Sequence, residues 1–129
     1  MADALENAIR DTGRVPNLVL SGHVHDYQRI EQQIVPMGKP TPFIVCGNGG
    51  YHNLHKVHSN VGAKAPDSGA VLKYACDSAW GFMKLTIDKD SISGVTREID
   101  RTGKVTDGDS FSYSAKPIKL ADPKSVPTL

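Results

Sequence analysis

The chain has 129 residues, 39% apolar and 22% charged, with a formal net charge of +1. That is the composition of an ordinary single globular domain, and its charge balance offers no attraction for nucleic acid or an anionic membrane surface. No apolar run approaches the roughly 18 residues needed to cross a bilayer, and the acidic, helix-prone start Met1-Ala2-Asp3-Ala4-Leu5-Glu6 lacks the character of a signal peptide and reads as an internal start. Nothing in the sequence addresses a compartment.

Residues 3–11 read as a short helix. Leu5, Ala8 and Ile9 share a face, Asp3 is the expected N-cap with Glu6 as its capping-box partner, and Gly13 is placed to end the helix. Val15-Pro16 leads into an apolar strand over 17–20, which stops at Ser21-Gly22. His23 and His25 follow. In layered α/β folds ligand sites lie just past strand carboxyl ends, and on extended backbone two residues two apart point the same way. A bare His-x-His is equally compatible with ordinary histidines in a turn.

Residues 27–35 read as a strand leading away from the histidines, and residues 37–42 as turn-rich. A compact apolar strand over 42–46 stops at Gly47-Asn48-Gly49-Gly50. This is not a Walker loop, because no Gly-Lys-Ser/Thr follows; it reads either as a tight turn needing positive φ or as a loop that brings Asn48 and Gly49 near a ligand. Residues 51–72 are the least regular stretch and carry His52, His55 and His58. Three readings stay open for them: a solvated loop, a substrate-facing loop, or a second metal site with two histidines on one helical turn.

Residues 80–87 read as a strand with Met83, Leu85 and Ile87 as apolar members and the register open at Phe82. After a turn at 88–90, residues 91–99 form a second strand with Ile92, Val95 and Ile99, and a hairpin turn at 100–103 opens a third that continues through 107–113. Residues 1–115 read as the domain. Residues 116–129, with three of the chain's eight prolines, read as an extended or disordered tail. Cys46 and Cys76 form no C-x-x-C; Cys46 reads as a buried free thiol, with a disulfide between the two as the alternative in an oxidising compartment.

The string Gly22-His23-Val24-His25-Asp26-Tyr27-Gln28-Arg29 resembles the last signature, G-H-x-H, of the calcineurin-like metallophosphoesterases, and its Tyr-x-Arg continuation looks most like the purple acid phosphatase branch. The glycine turn at 47–50 and the strands from Trp80 to Phe111 are similar to that family as well. The resemblance implies an α/β fold: the C-terminal half of an αββα sandwich, with one N-terminal helix and a mostly antiparallel β-meander. It implies phosphomonoester or phosphodiester hydrolysis at two metal ions of Fe, Zn or Mn type, about 3.5–4 Å apart, that orient the phosphate and generate a hydroxide nucleophile. His23 would ligate one metal and His25 the other, with Gly22, Tyr27 and Arg29 supporting the site. Tyr27 and Arg29 themselves read as packing and a local ion pair with Glu31. Asp26 occupies the variable position of the box and is given no ligand role.

The family's other signatures, Asp-x-His, Gly-Asp-x-x-Asp, Gly-Asn-His-Asp/Glu and a further histidine, all precede G-H-x-H. Only 22 residues precede His23, and none of those motifs is among them. The expectation is therefore a C-terminal portion of such an enzyme, inactive and weakly metal-binding alone, whose partner is either the missing half or a second copy covering an exposed apolar sheet face. Two rivals are a non-catalytic β-rich interaction or oligomerisation module that keeps the motif as a relic, and a metal-sequestering protein using all five histidines.

Overall fold

A computed structural model of the chain describes residues 2–36, 38–122 and 129. Among them, α1 (Ala2–Thr12) precedes β1 (Arg14–Val15), β2 (Val19–Ser21), β3 (Tyr27–Gln32), β4 (Thr41–Cys46), β5 (Val71–Cys76), β6 (Trp80–Ile87), β7 (Ser91–Ile99), β8 (Val105–Ser114) and β9 (Ile118–Lys119). The architecture is mixed α/β: one helix and mostly antiparallel strands in three sheets. No described helix is long and apolar enough to cross a membrane, which says nothing of a β-barrel.

The helix packs by Leu5 and Ile9, one turn apart, and Ile9 is fully buried. Ala8, expected on that face, is exposed, so the buried stripe is narrow. Asp3 lies within the first turn, because the helix already includes Ala2. Glu6 closes no capping box and accepts a hydrogen bond from the Leu129 backbone (2.8 Å). Gly13 ends the helix as expected: at φ 64° its N–H bonds to the Ile9 carbonyl at 2.8 Å, the left-handed cap that glycine adopts without steric cost.

β1 pairs antiparallel with β9, and Leu120 is buried against Ile9, Val15 and Ile34. The tail expected from residue 116 to be extended or disordered is extended over Ile118–Lys119. Its first part is held by strand pairing and apolar burial; residues 123–128, also part of that expectation, lie outside the described residues.

The main sheet has the order β2-β4-β3-β5, with β2 parallel to β4 and the other pairings antiparallel. β5 takes in Val71 and Leu72, the end of the stretch read as irregular, and continues through residues 73–76, to which the sequence assigned no element. The second sheet is the meander β6-β7-β8. Tyr27, Ile44, Cys76 and Ala79 are buried between the sheets with Met83 and Phe111 packed against them, while Phe43 faces the helix side. Cys46 and Cys76 are free thiols. Both stand opposite Tyr27, one on each flanking strand, so two inter-strand spacings of about 4.8 Å separate them, beyond disulfide reach.

The inward face of the second sheet is more polar than alternation suggested. Ile92 is buried, but Val95 and Ile99 point outward with Phe82, and the other buried positions of β7 are Gly94, Thr96 and Glu98. The cause is a polar network across the sandwich. Arg29 makes a two-pronged ion pair with Asp109, Nε to Oδ2 at 2.7 Å and Nη2 to Oδ1 at 2.9 Å. Tyr27 donates to Asp109 (3.0 Å), Arg29 also reaches Tyr113 and Glu31, and Tyr74 donates to Glu98 (3.0 Å). The expected local pair with Glu31 is present at 3.2 Å, but it is secondary to Asp109, 80 residues away.

Removing one member of a buried pair leaves the other charge uncompensated, so Asp109→Ala should cost about 3–5 kcal/mol in urea unfolding. Burial first, then the neighbouring carboxylates, pushes the hydroxyls of Tyr27, Tyr74 and Tyr113 above the usual phenol range. A raised folded-state value favours the fold fully below the unfolded-chain value, about 10, and that contribution is lost as pH rises past it. Melting temperature should therefore fall above about pH 10, more shallowly in a Tyr27→Phe/Tyr113→Phe variant than in the wild type.

Candidate metal site

β2 and β4 run parallel, so the chain leaves their carboxyl ends side by side, and the turns at 22–26 and 47–50 emerge at the same pole. The histidines lie in a turn, so the extended backbone on which they would point the same way is not formed. Val24 N–H bonds to the Gly22 carbonyl (3.0 Å) and Asp26 N–H to the Val24 carbonyl (2.8 Å). Each bond spans three residues, so His23 and His25 are the central residues of two successive γ-turns. His23 has φ 74°, the hand of γ-turn that is rare and strained for any residue with a side chain.

The glycine requirement falls at a different position from the motif glycine. Gly22 is exposed at negative φ, and a β-carbon there would meet only the Cys46 carbonyl oxygen at 3.9 Å. A β-carbon on Gly47 would overlap the Val24 carbonyl, while Gly47 N–H donates to the Asp26 carbonyl (2.9 Å). The glycine turn thus lets the two site turns touch. Of its four residues only Gly50 has positive φ. Gly49 is exposed, whereas Asn48 is buried at 2% exposure and donates to the Ala79 carbonyl (3.2 Å). Asn48 therefore ties β4 to the start of β6 and does not stand on a ligand-facing surface, although its Oδ1 has no partner.

His23 is exposed and His25 half-buried. The His25 ring is held between Tyr51, stacked at 4.0 Å, and His55, tilted at 4.6 Å. His55 N–H donates to the His25 carbonyl (2.9 Å), and His25 N–H donates to His55 Nδ1 (3.3 Å). An accepting Nδ1 assigns the His55 proton to Nε2. The loop after the glycine turn is thus fastened onto the histidine turn, and Trp80 Nε1 holds the Tyr51 carbonyl (2.7 Å). The His52 ring lies tilted against Tyr51 at 4.6 Å, and His58 is exposed further along. Residues 51–58 are not helical, so two of these histidines do not share a helical face as one reading required.

Two participants escaped the sequence reading. Tyr51 carries no motif, and only its place after the glycine turn hinted at a role. Asp26, dismissed as the variable residue of the box, is 1% exposed; its Oδ2 accepts from Gln28 (2.9 Å) and its Oδ1 has no partner. Burial raises the Asp26 carboxyl above its usual range against the opposing pull of Gln28, His55 and His25.

The donor set fits the nitrogen half of a metal centre. His25 Nδ1 is buried with no hydrogen-bond partner, and His23 is presented to solvent by a strained turn. Among the described residues no group of three or more His, Cys, Asp or Glu side chains is placed to hold a metal ion. Compared with known proteins, the chain matches no family model, no curated protein and no solved structure.

A glycine occupies positive φ freely, so a turn that exists only for shape should prefer one. His23→Gly is expected to leave urea stability unchanged or raise it by up to about 1 kcal/mol, the strain relieved less the added chain entropy.

Proposed function

We propose that this chain supplies the histidine half of a dinuclear-metal phosphoesterase centre, acting on a phosphomonoester or phosphodiester, with His23 and His25 as ligands to separate metals. The observation that carries the reading is the strained, exposed backbone at His23 beside a half-buried His25 with an unpaired Nδ1, at the carboxyl ends of two parallel strands. Strain of this kind concentrates at functional positions.

When bound, the metals would polarise the phosphoryl group and provide the nucleophile. This chain's residues hold the ligands. Tyr51 and His55 fix the His25 ring, Gly47 lets the two turns meet, and Tyr27 and Arg29 root the strand behind the turn in the opposite sheet through Asp109. Hard cations need oxygen donors, and a bridging carboxylate lowers the net charge of two adjacent metals. Those donors come from outside these residues, so the chain alone is expected to bind metal weakly and to be inactive.

A second reading, a non-catalytic interaction module, is favoured by one feature: Phe82, Ile99 and Val105 are exposed on the outer face of β6–β8, with Phe82 at 58%. Titration calorimetry with Zn²⁺ and Mn²⁺ separates the two. Saturable binding lost in His23→Ala/His25→Ala supports the metal reading. Binding that survives the double substitution, or is absent from the wild type while sedimentation shows a stable oligomer, supports the module.

A further inference from the structure

At the pole opposite the histidine turns, three adjoining clefts of about 290, 480 and 450 Å³ share their walls. Four exposed cations line them: Arg14, Lys39, Lys116 and Lys119. None has an ion-pair partner among the described residues. With a net charge of only +1 over the whole chain, this is local clustering and not the consequence of a basic protein.

The strand register sharpens the point. In the two-residue ribbon of β1 and β9, Arg14 stands directly opposite Lys119. Like charges directly opposed across a strand pair repel and destabilise it. The ribbon is held by its other pair, Val15 and Ile118, on the apolar side, which needs no charge at positions 14 or 119. A short ribbon carrying an avoidable repulsion breaks a local rule, and such breaks mark functional positions.

We infer that this groove binds a small polyanion carrying two or more phosphate-type groups. A phosphate bridging Arg14 and Lys119 would turn the repulsion into two charge-assisted contacts. Lys39 and Lys116 both border the first and second clefts and form a second cationic pair, and two pairs call for more than one anionic group. The frame is pre-set, since Asn17 donates to the carbonyls of Ser114 (3.1 Å) and Lys116 (2.7 Å) and anchors the segment that carries Lys116. One carboxylate, Asp90, lies on the second cleft, with Lys89 at 4.0 Å from it. β4 begins beside Lys39 and ends at the histidine pole, a run of six residues or about 20 Å. The groove is therefore separate from the proposed metal site and does not depend on that reading.

The probe is sodium tripolyphosphate, followed by calorimetry and thermal melting. The expected result is saturable binding, weakened about tenfold or more in Lys116→Ala/Lys119→Ala and unchanged in Lys84→Ala/Lys104→Ala, which removes the same charge elsewhere. His23→Ala/His25→Ala should bind tripolyphosphate like the wild type. Lys119→Glu, which puts an acid opposite Arg14, should melt higher than wild type without ligand and lose the stabilisation by tripolyphosphate. The inference is overturned by an absence of binding, by equal weakening in the two lysine pairs, by a lower melting temperature for ligand-free Lys119→Glu, or by a twelve-residue oligonucleotide or an anionic lipid vesicle binding more tightly than tripolyphosphate.

Discussion

The ion pair between Arg29 and Asp109 sets most of what surrounds it. It places a guanidinium and a carboxylate between two sheets, where each would be costly alone. Their geometry offsets the desolvation: the carboxylate meets the planar guanidinium with both oxygens, and the remaining guanidinium nitrogen finds Tyr113 and Glu31. Thr96 is buried because its hydroxyl accepts the Asp109 backbone N–H (2.7 Å). A β-carbon on Gly108 would meet the Glu98 carboxylate and the Thr96 hydroxyl, so a larger residue there would displace these buried polar groups. A one-residue slip would turn the inward face of the strand to solvent, and it would also break this network of directed bonds.

The histidine turn inherits its position from that register. Tyr27 and Arg29 lie on the same face of β3, directly after the turn, and both reach Asp109. The first residue of β3 is thereby fixed on the far sheet, while Gly47 fixes Asp26 from the near side. The chain between Gly22 and Asp26 has to make its reversal in very few residues, and it does so with two γ-turns. The positive φ at His23 is the local cost of joining a pinned β2 to a pinned β3.

Local signals were legible in the sequence wherever the cause is local. Gly13 ended the helix where a left-handed residue was needed, and the turns at 88–90 and 100–103 bounded β7 correctly, because Asp88 and Asp100 cap them with side-chain bonds to backbone a few residues on. β5 was missed: Val71–Cys76 contains a lysine and lies beside a long irregular stretch, and its pairing with β3 is decided by a partner about 45 residues away. β9 was missed because two residues between prolines carry no period. Asp109 as the partner of Arg29 was not readable at all, since a separation of 80 residues leaves no trace in one sequence. That the histidines follow a turn was legible from Ser21-Gly22, but the two γ-turns were not, because they follow from constraints on both flanks.

The strand order carries one further consequence for the metal site. β2 lies at the edge of the main sheet, paired only with β4 among the described residues, and its outer row of backbone groups is open. Leu20, on this strand, is 52% exposed, and Val24 just beyond it is exposed as well. An open, partly apolar edge is a template for another strand. Any strand that pairs there extends the sheet next to Ser21, and the residues at its own end arrive beside Gly22 and His23. The sheet therefore ends, beside the proposed site, in a strand that pairs only with β4 among the described residues, and that edge is where a further strand would add.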